Sequence, residues 1–453
     1  MKKIAKLQML LLSAVLFILN NCSMKVSEQA VNHVAPPFEN VNVAFHENTI
    51  EPLNGGTIKL DNGTKIIIPK YAFKDAEGNI IKSKVKIQYR EFHNSAQILL
   101  SGIPMKYNNE NFQTAGMFEV KGITEDNKTV QLAEGKSMII QMASFVKGEE
   151  YNFYFYDEQK GGWILKGNSP VIENAEKKIK LADLPITPSL PLKPQRQQAN
   201  SLVFDLDVNT SMYPELRNFN GVVWQYAGND SESDPAKKPW VFNEKWSYVE
   251  LNRSENGKGK YLLHLRNSKR DYTAEVTPVL NGKYYRQALA RFEKSMDEYE
   301  ISSQDIRMEE DRLSKEADLL RTFSVNNMGI YNWDCFYKNQ PNVVTFNADF
   351  KLNEQVPGVN MENINVYLLT GDQRAVVTYN KYYKQNFTFN PSDVNKLVAV
   401  LPGDRIAIFR NEDFKNLAAQ FQPGEKSTRT IILKVIDQQV VTAENLYAVL
   451  ATI

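Results

Sequence analysis

From Asn54 onward, apolar and polar residues alternate with a period of two. The stretch GGTIKLDNGTKIIIPKYAF places Ile58 and Leu60 on one side, turns at Asp61-Asn62-Gly63, and resumes at Ile66 to Ile68. Clusters of Asp, Asn and Gly between β-branched runs mark hairpins. In EGNIIKSKVKIQYREF, Val85, Ile87 and Tyr89 fall on one face, while Lys84, Lys86 and Gln88 fall on the other. GMFEVKGI, KTVQL, SMIIQMASF and the hairpin YNFYFYDEQKGGWILKG continue the pattern. Short strands separated by turns at such spacing predict a β-sandwich or barrel.

Four prolines, at positions 185, 188, 191 and 194, then interrupt the alternation. Proline removes a backbone donor and fixes φ, so this stretch predicts an extended linker over 185–200. Strands resume at Ser201 with SLVFDLDV, GVVWQYAG, WSYVELNR, KYLLHLRN and YTAEVTPVL. After Gly282 the period changes. Residues 284–320 contain no Gly or Pro, and apolar residues fall at Tyr285, Leu289, Phe292, Met296, Tyr299, Ile306, Leu313, Ala317 and Leu320. The 4-3 register misses at Ser303 and Glu310. It predicts one helix on the order of 50 Å long, at about 1.5 Å per residue. Such a stripe permits a coiled coil, but the polar interruptions favour packing on its own sheet or under a neighbouring domain. From Thr322 to Ile453 strands return, with DFKNLAAQF and TAENLYAVLA as candidate short helices. The expected fold class is mainly β: several sandwich-like modules with one long helix.

The first residues follow a different rule. MKKIAKLQ supplies a positive start, and Met9 to Leu19 form an apolar run broken only by Ser13. A spanning helix needs about 20 apolar residues. The shorter run fits a secretory leader over 1–21. No pair of small residues marks a general cleavage site. Leu19 and Cys22 instead have the spacing of a bacterial lipobox, with Asn20 and Asn21 where small residues are usual. Acylation of Cys22 is the expected consequence, anchoring the chain to a lipid membrane through more than one acyl chain. The polar stretch 22–49 then reads as a tether, and the bodies as 50–184, 201–321 and 322–453.

Composition narrows the function. The chain has 453 residues, two cysteines, 54 basic and 53 acidic residues, and a formal net charge of +1. With Cys22 acylated, Cys335 has no disulfide partner. The balanced charge excludes a dedicated nucleic-acid binder. Nothing in the sequence calls for a cofactor.

Residues Gly55 to about Phe145 carry a family likeness. Gly55, Gly56, Gly63, Ile66, Ile68, Pro69, Ala72 and Phe73 resemble the opening of ZU5-type β-domains, and LLSGIPMKY and TAGMFEV resemble later landmarks of the bacterial versions. The resemblance implies a structural or interaction module without catalytic residues. Together with the lipobox it implies a lipoprotein of the outer membrane, facing the periplasm or the exterior, with envelope proteins or glycans as partners.

Chemistry-bearing patterns are few. Asp205, Asp207 and Asn209 alternate in FDLDVNTS, and oxygen ligands two residues apart can converge on a hard cation in a loop. A Ca²⁺ loop of the EF-hand kind would need Gly and Glu where Thr210 and Leu216 stand, so a solvent-facing edge is the simpler account. Glu91 and His93 share a strand face, which suits a base, but no Ser or Cys nucleophile accompanies them. The simpler account there is a surface pair at a strand end. Trp224, Trp240 and Trp246 form the third candidate, because exposed aromatic faces stack on sugars or anchor partners. The primary expectation is a non-enzymatic envelope lipoprotein with a structural or protein-binding role. A carbohydrate-binding surface protein is the alternative, and a glycoside hydrolase with two distant carboxylates comes third.

Overall fold

A computed structural model describes residues 33–209, 212–337, 343–372, 374–380, 386–421 and 427–451. The leader and Cys22 lie outside the described residues. The fold is mainly β, with several sheets and one long helix. The chain divides into two compact units, Met1–Asn174 with Ala317–Ile453, and Ala175–Glu316.

The first unit contains a sandwich. One sheet runs in the order His46–Ile50, Val85–Phe92, Glu110–Thr124, Gly329–Phe336, Asn152–Asp157, Gly162–Asn168. The other runs Val171–Glu173, Leu319–Val325, Met138–Ser144, Lys65–Ile68, Gly56–Lys59. The predicted alternation places Ile66, Ile68, Val85, Ile87, Tyr89, Phe118, Val120 and Ile140 in one core between them. Two members of these sheets come from far along the chain. Leu319–Val325 pairs with Met138–Ser144, and Gly329–Phe336 is inserted between Glu110–Thr124 and Asn152–Asp157. Their residues Val325, Tyr331 and Trp333 complete the core. The expected division into 50–184, 201–321 and 322–453 therefore differs from the pairing observed. A period of two marks a strand but carries no information about which distant strand it pairs with.

The expected tether also shortens. Phe38 and Val41 are 2% and 3% exposed, and His46–Ile50 pairs with Val85–Phe92. Gly102 holds this segment. It caps helix Ser95–Ser101 at φ 61, and a Cβ there would meet the Ala35 carbonyl carbon at 2.2 Å, so only glycine fits. A third, seven-stranded sheet runs from Ala375–Tyr379 to Phe387–Phe389, with Val344–Leu352 and Thr428–Ile436 parallel within it. One core of this sheet includes Phe414 of helix Asn411–Ala418. Another joins Val398, Ile406 and Ile408 to Leu99, Leu100, Phe38 and helix Ala443–Ala451.

The second unit has a sheet in the order Val203–Phe204, Val222–Tyr226, Asp271–Leu280, Tyr261–Arg266, Tyr248–Arg253. Gln195–Arg196, expected within the linker, pairs in parallel with Asp271–Leu280, and Pro191 and Pro194 are buried. The long helix spans Gly282–Lys315, capped by the Asn281 side chain on Tyr284 N. It stops short of residue 320 because Leu319 already starts a strand. Its buried residues are Ala288, Ser295, Ser303, Ile306 and Leu313. Ser303, an apparent gap in the stripe, is thus one of its buried positions. The stripe packs on Asp271–Leu280, Gln195–Arg196 and helix Ala175–Ala182, and Asn218 donates to Ser295 Oγ at 3.0 Å. Among the described residues no helix is long and apolar enough to cross a membrane.

Candidate functional site

In the first unit, the ends of three adjacent sandwich strands and two turns of the third sheet enclose a half-open hollow of about 360 Å³. Gln113 comes from Glu110–Thr124, Asn152 and Tyr154 from Asn152–Asp157, and Cys335 and Phe336 from Gly329–Phe336, with Tyr337 and Glu150 just beyond strand ends. Gly371, Asp372 and Asp393 complete the lining.

Two of the donors lining this hollow, Tyr337 and Gln113, are committed to the protein itself. Tyr337 Oη donates to Asp393 Oδ2 at 2.7 Å, and Asn390 Nδ2 donates to Asp393 Oδ1 at 2.9 Å. Gln113 Nε2 donates to Gly371 O at 3.1 Å. The nearby cations are held by Tyr151. Arg374 Nη1 donates to Tyr151 Oη at 2.8 Å, with Nη2 3.4 Å from Asp372, and the Arg321 guanidinium lies 5.0 Å from the centre of the Tyr151 ring. Glu150 is exposed and carries no hydrogen bond or salt bridge among the described residues. Burial pushes the Cys335 thiol above its usual range, which makes it a poor nucleophile.

One further carboxyl belongs to this face. Asp334 pairs across the strands with Asn152, so its side chain shares a sheet face with Asn152, Tyr154 and Phe336. It is 0% exposed, and the polar side chains beside it are those of Thr114 and Asn332. Burial raises its pKa well above the ordinary carboxylate range, outweighing the opposing influence of Thr114 and Asn332. The Thr114 hydroxyl is itself turned to Asn332 Oδ1 at 2.5 Å.

Glu91 and His93 meet as a pair, but not at the surface where the sequence suggested. Glu91 is buried and accepts from Thr64 Oγ1 at 2.6 Å, Tyr89 Oη at 2.8 Å and Asn62 Nδ2 at 2.5 Å, with His93 Nε2 at 2.7 Å. Burial opposes its charge, yet these donors, His93 foremost, hold its pKa below the usual value. The hydroxyls point at the carboxylate rather than at the imidazole. The arrangement therefore locks a strand end and does not activate a nucleophile.

The tryptophan platform is not assembled. Trp224 is 1% exposed and packs edge-on against Tyr261 in the second unit's core, so its face is closed to a sugar. Alternation put it on the buried side of the strand. Trp240 and Trp246 are half-buried with ring centres 6.2 Å apart. Arg270 lies 4.5 Å from the centre of the Trp240 ring, and Trp246 Nε1 donates to Val241 O. Asp205, Asp207 and Asn209 are all exposed along the segment after Val203–Phe204. Alternate residues on extended backbone lie roughly 7 Å apart, which spreads ligands instead of converging them. Among the described residues, no group of three or more His, Cys, Asp or Glu is placed to hold a metal ion.

No sequence motif pointed to the hollow, because its lining comes from five separate stretches. The readable trace was Asp334 itself, a carboxylate inside the apolar run GIYNWDCF. Compared with family models, curated proteins and solved structures, the chain matches none.

Proposed function

We propose that this chain is a non-enzymatic, lipid-anchored binding protein of a bacterial cell envelope. Acylated Cys22 tethers it to the outer membrane, and the hollow of the first unit receives the ligand or partner. The observation that carries the binding role is this concavity, where aromatic rings and polar side chains converge from distant strands; few, well-placed polar groups in a concave site are the usual form of a recognition pocket. The ZU5-like resemblance of residues 55–145 supports an interaction module. The hydrolase reading is weaker, because Asp334, whose pKa burial raises, is fully enclosed. Binding to glycans through Trp240 and Trp246 is weaker too, since one ring is covered by Arg270 and the third tryptophan is in the core.

Crosslinking of intact cells from position Glu150, followed by identification of the captured species, tests the reading. Capture that disappears on mutation of Tyr337 or Asp393 is expected; equal capture from an unrelated exposed site such as Glu77 overturns it.

A further inference from the structure

We propose, on the basis of the lipid-anchored reading above, that residues 34–43 act as a strap that sets how far the first unit can stand from the lipid surface. The strap has neither helix nor strand, yet three hydrogen bonds hold it. Ala35 N donates to Gly102 O at 3.0 Å, Glu39 N to Asp404 Oδ1 at 3.3 Å, and Arg90 Nη1 to Val43 O at 3.0 Å. Their partners lie on three separate pieces: the end of helix Ser95–Ser101, the turn between Lys396–Leu401 and Arg405–Phe409, and strand Val85–Phe92. Between these bonds Phe38 and Val41 enter the core formed by Leu99, Leu100, Val398 and Ile406, and Val34 packs against Phe92 and Ile98. Burial of such side chains favours the seated form. Pro36 and Pro37 fix φ on the way, so less freedom is lost on seating. The consequence is a length. Cys22 to Val34 is 12 residues, and an extended chain spans at most about 3.5 Å per residue, so the exit beside Gly102 lies within about 42 Å of an acylated Cys22. With the strap unseated, the chain would run 24 residues to the first strand at His46, and the limit would be about 84 Å. Seating Phe38 and Val41 thus halves the reach of the anchor and keeps the first unit beside the lipid.

Full mature protein, anchored in vesicles of phosphatidylethanolamine and phosphatidylglycerol, tests this. A donor dye on Pro402→Cys, in a Cys335→Ser background, reports its distance from acceptor-labelled lipid by energy transfer; Pro402 is exposed in the turn that holds Glu39. The unseating variants are Gly102→Ala, whose Cβ would meet the Ala35 carbonyl carbon at 2.2 Å, and Phe38→Ser/Val41→Ser, each checked for fold by circular dichroism. Both variants are expected to stand farther from the lipid than the parent, by on the order of 10 Å or more out of the extra 42 Å or so of chain released. Hydrogen exchange of the unsubstituted protein needs no variant: the amides of Ala35 and Glu39 should exchange about tenfold or more slowly than free amides. Where neither variant folds, exchange alone decides, protected amides supporting the strap and freely exchanging ones overturning it. Equal distances in the parent and the folded variants overturn the strap while leaving the lipid anchor. Incorporation of labelled palmitate is measured alongside, and an unsubstituted chain that takes up none overturns the anchor and the stand-off together.

Discussion

Asp334→Asn should stabilise the first unit, and by an amount that grows with pH. In the wild type the folded state keeps the Asp334 carboxyl protonated well above its ordinary value of 3.8, whereas the unfolded chain releases the proton near that value. Between the two pKa values the folded state binds more protons than the unfolded state, so stability is fully present below about pH 4 and falls as pH rises. The slope is about 1.4 kcal/mol per pH unit, continuing until the folded pKa is reached. Asparagine has no proton to lose. The advantage of the variant should therefore be small near pH 4, when two neutral side chains of similar shape are compared. It should increase as pH rises above about 4 toward the folded pKa, by at most about 1.4 kcal/mol per pH unit. Two units complicate a single global melt. Native-state hydrogen exchange of Gly329–Phe336 isolates the relevant sheet, and the variant-to-wild-type ratio at each pH cancels intrinsic exchange. That ratio should shift steadily in this direction as pH rises above about 4, by at most about tenfold per pH unit. A ratio that stays constant across the pH range above about 4 would show that Asp334 is ionised and paired in the folded protein, which refutes a carboxyl kept neutral by burial.

Glu91→Gln should destabilise the same sandwich by about 3 kcal/mol or more, because the amide presents hydrogens to donors that now converge on a carboxylate. The folded pKa of Glu91 lies below 4.5, so its contribution is present above that value and disappears as pH falls through the folded pKa. Urea midpoints of wild type and variant should approach each other at acid pH, and a gap that widens there would contradict the network. Trp224→Ala should cost about 3–5 kcal/mol in thermal or urea unfolding of the second unit, as for a large core side chain, and Trp246→Ala clearly less; comparable losses would mean that Trp246 is equally part of the core. Cys22→Ala should accumulate as an unprocessed precursor in pulse-chase labelling, and normal maturation with soluble release would refute lipid anchoring.

Local rules made the elements readable and long-range ones did not. The alternation at Val85, Ile87 and Tyr89, the hairpin turn at Asp61-Asn62-Gly63 and the 4-3 stripe from Tyr285 to Leu313 each depend on neighbours a few residues away, and the folded chain keeps them. The partner of Gly329–Phe336 is set by burial of Tyr331 and Trp333 beside Phe118 and Phe153, more than 170 residues upstream, and no local period encodes that. The same distance hid the hollow, whose polar residues sit at ordinary-looking strand ends. Asp334 differs from all of these. A carboxylate between Trp333 and Cys335 violates the pattern of its own strand, and natural chains retain such conflicts mainly where a site requires them. Burial opposes its charge more than Thr114 and Asn332 support it, a cost that the sandwich alone has no reason to bear.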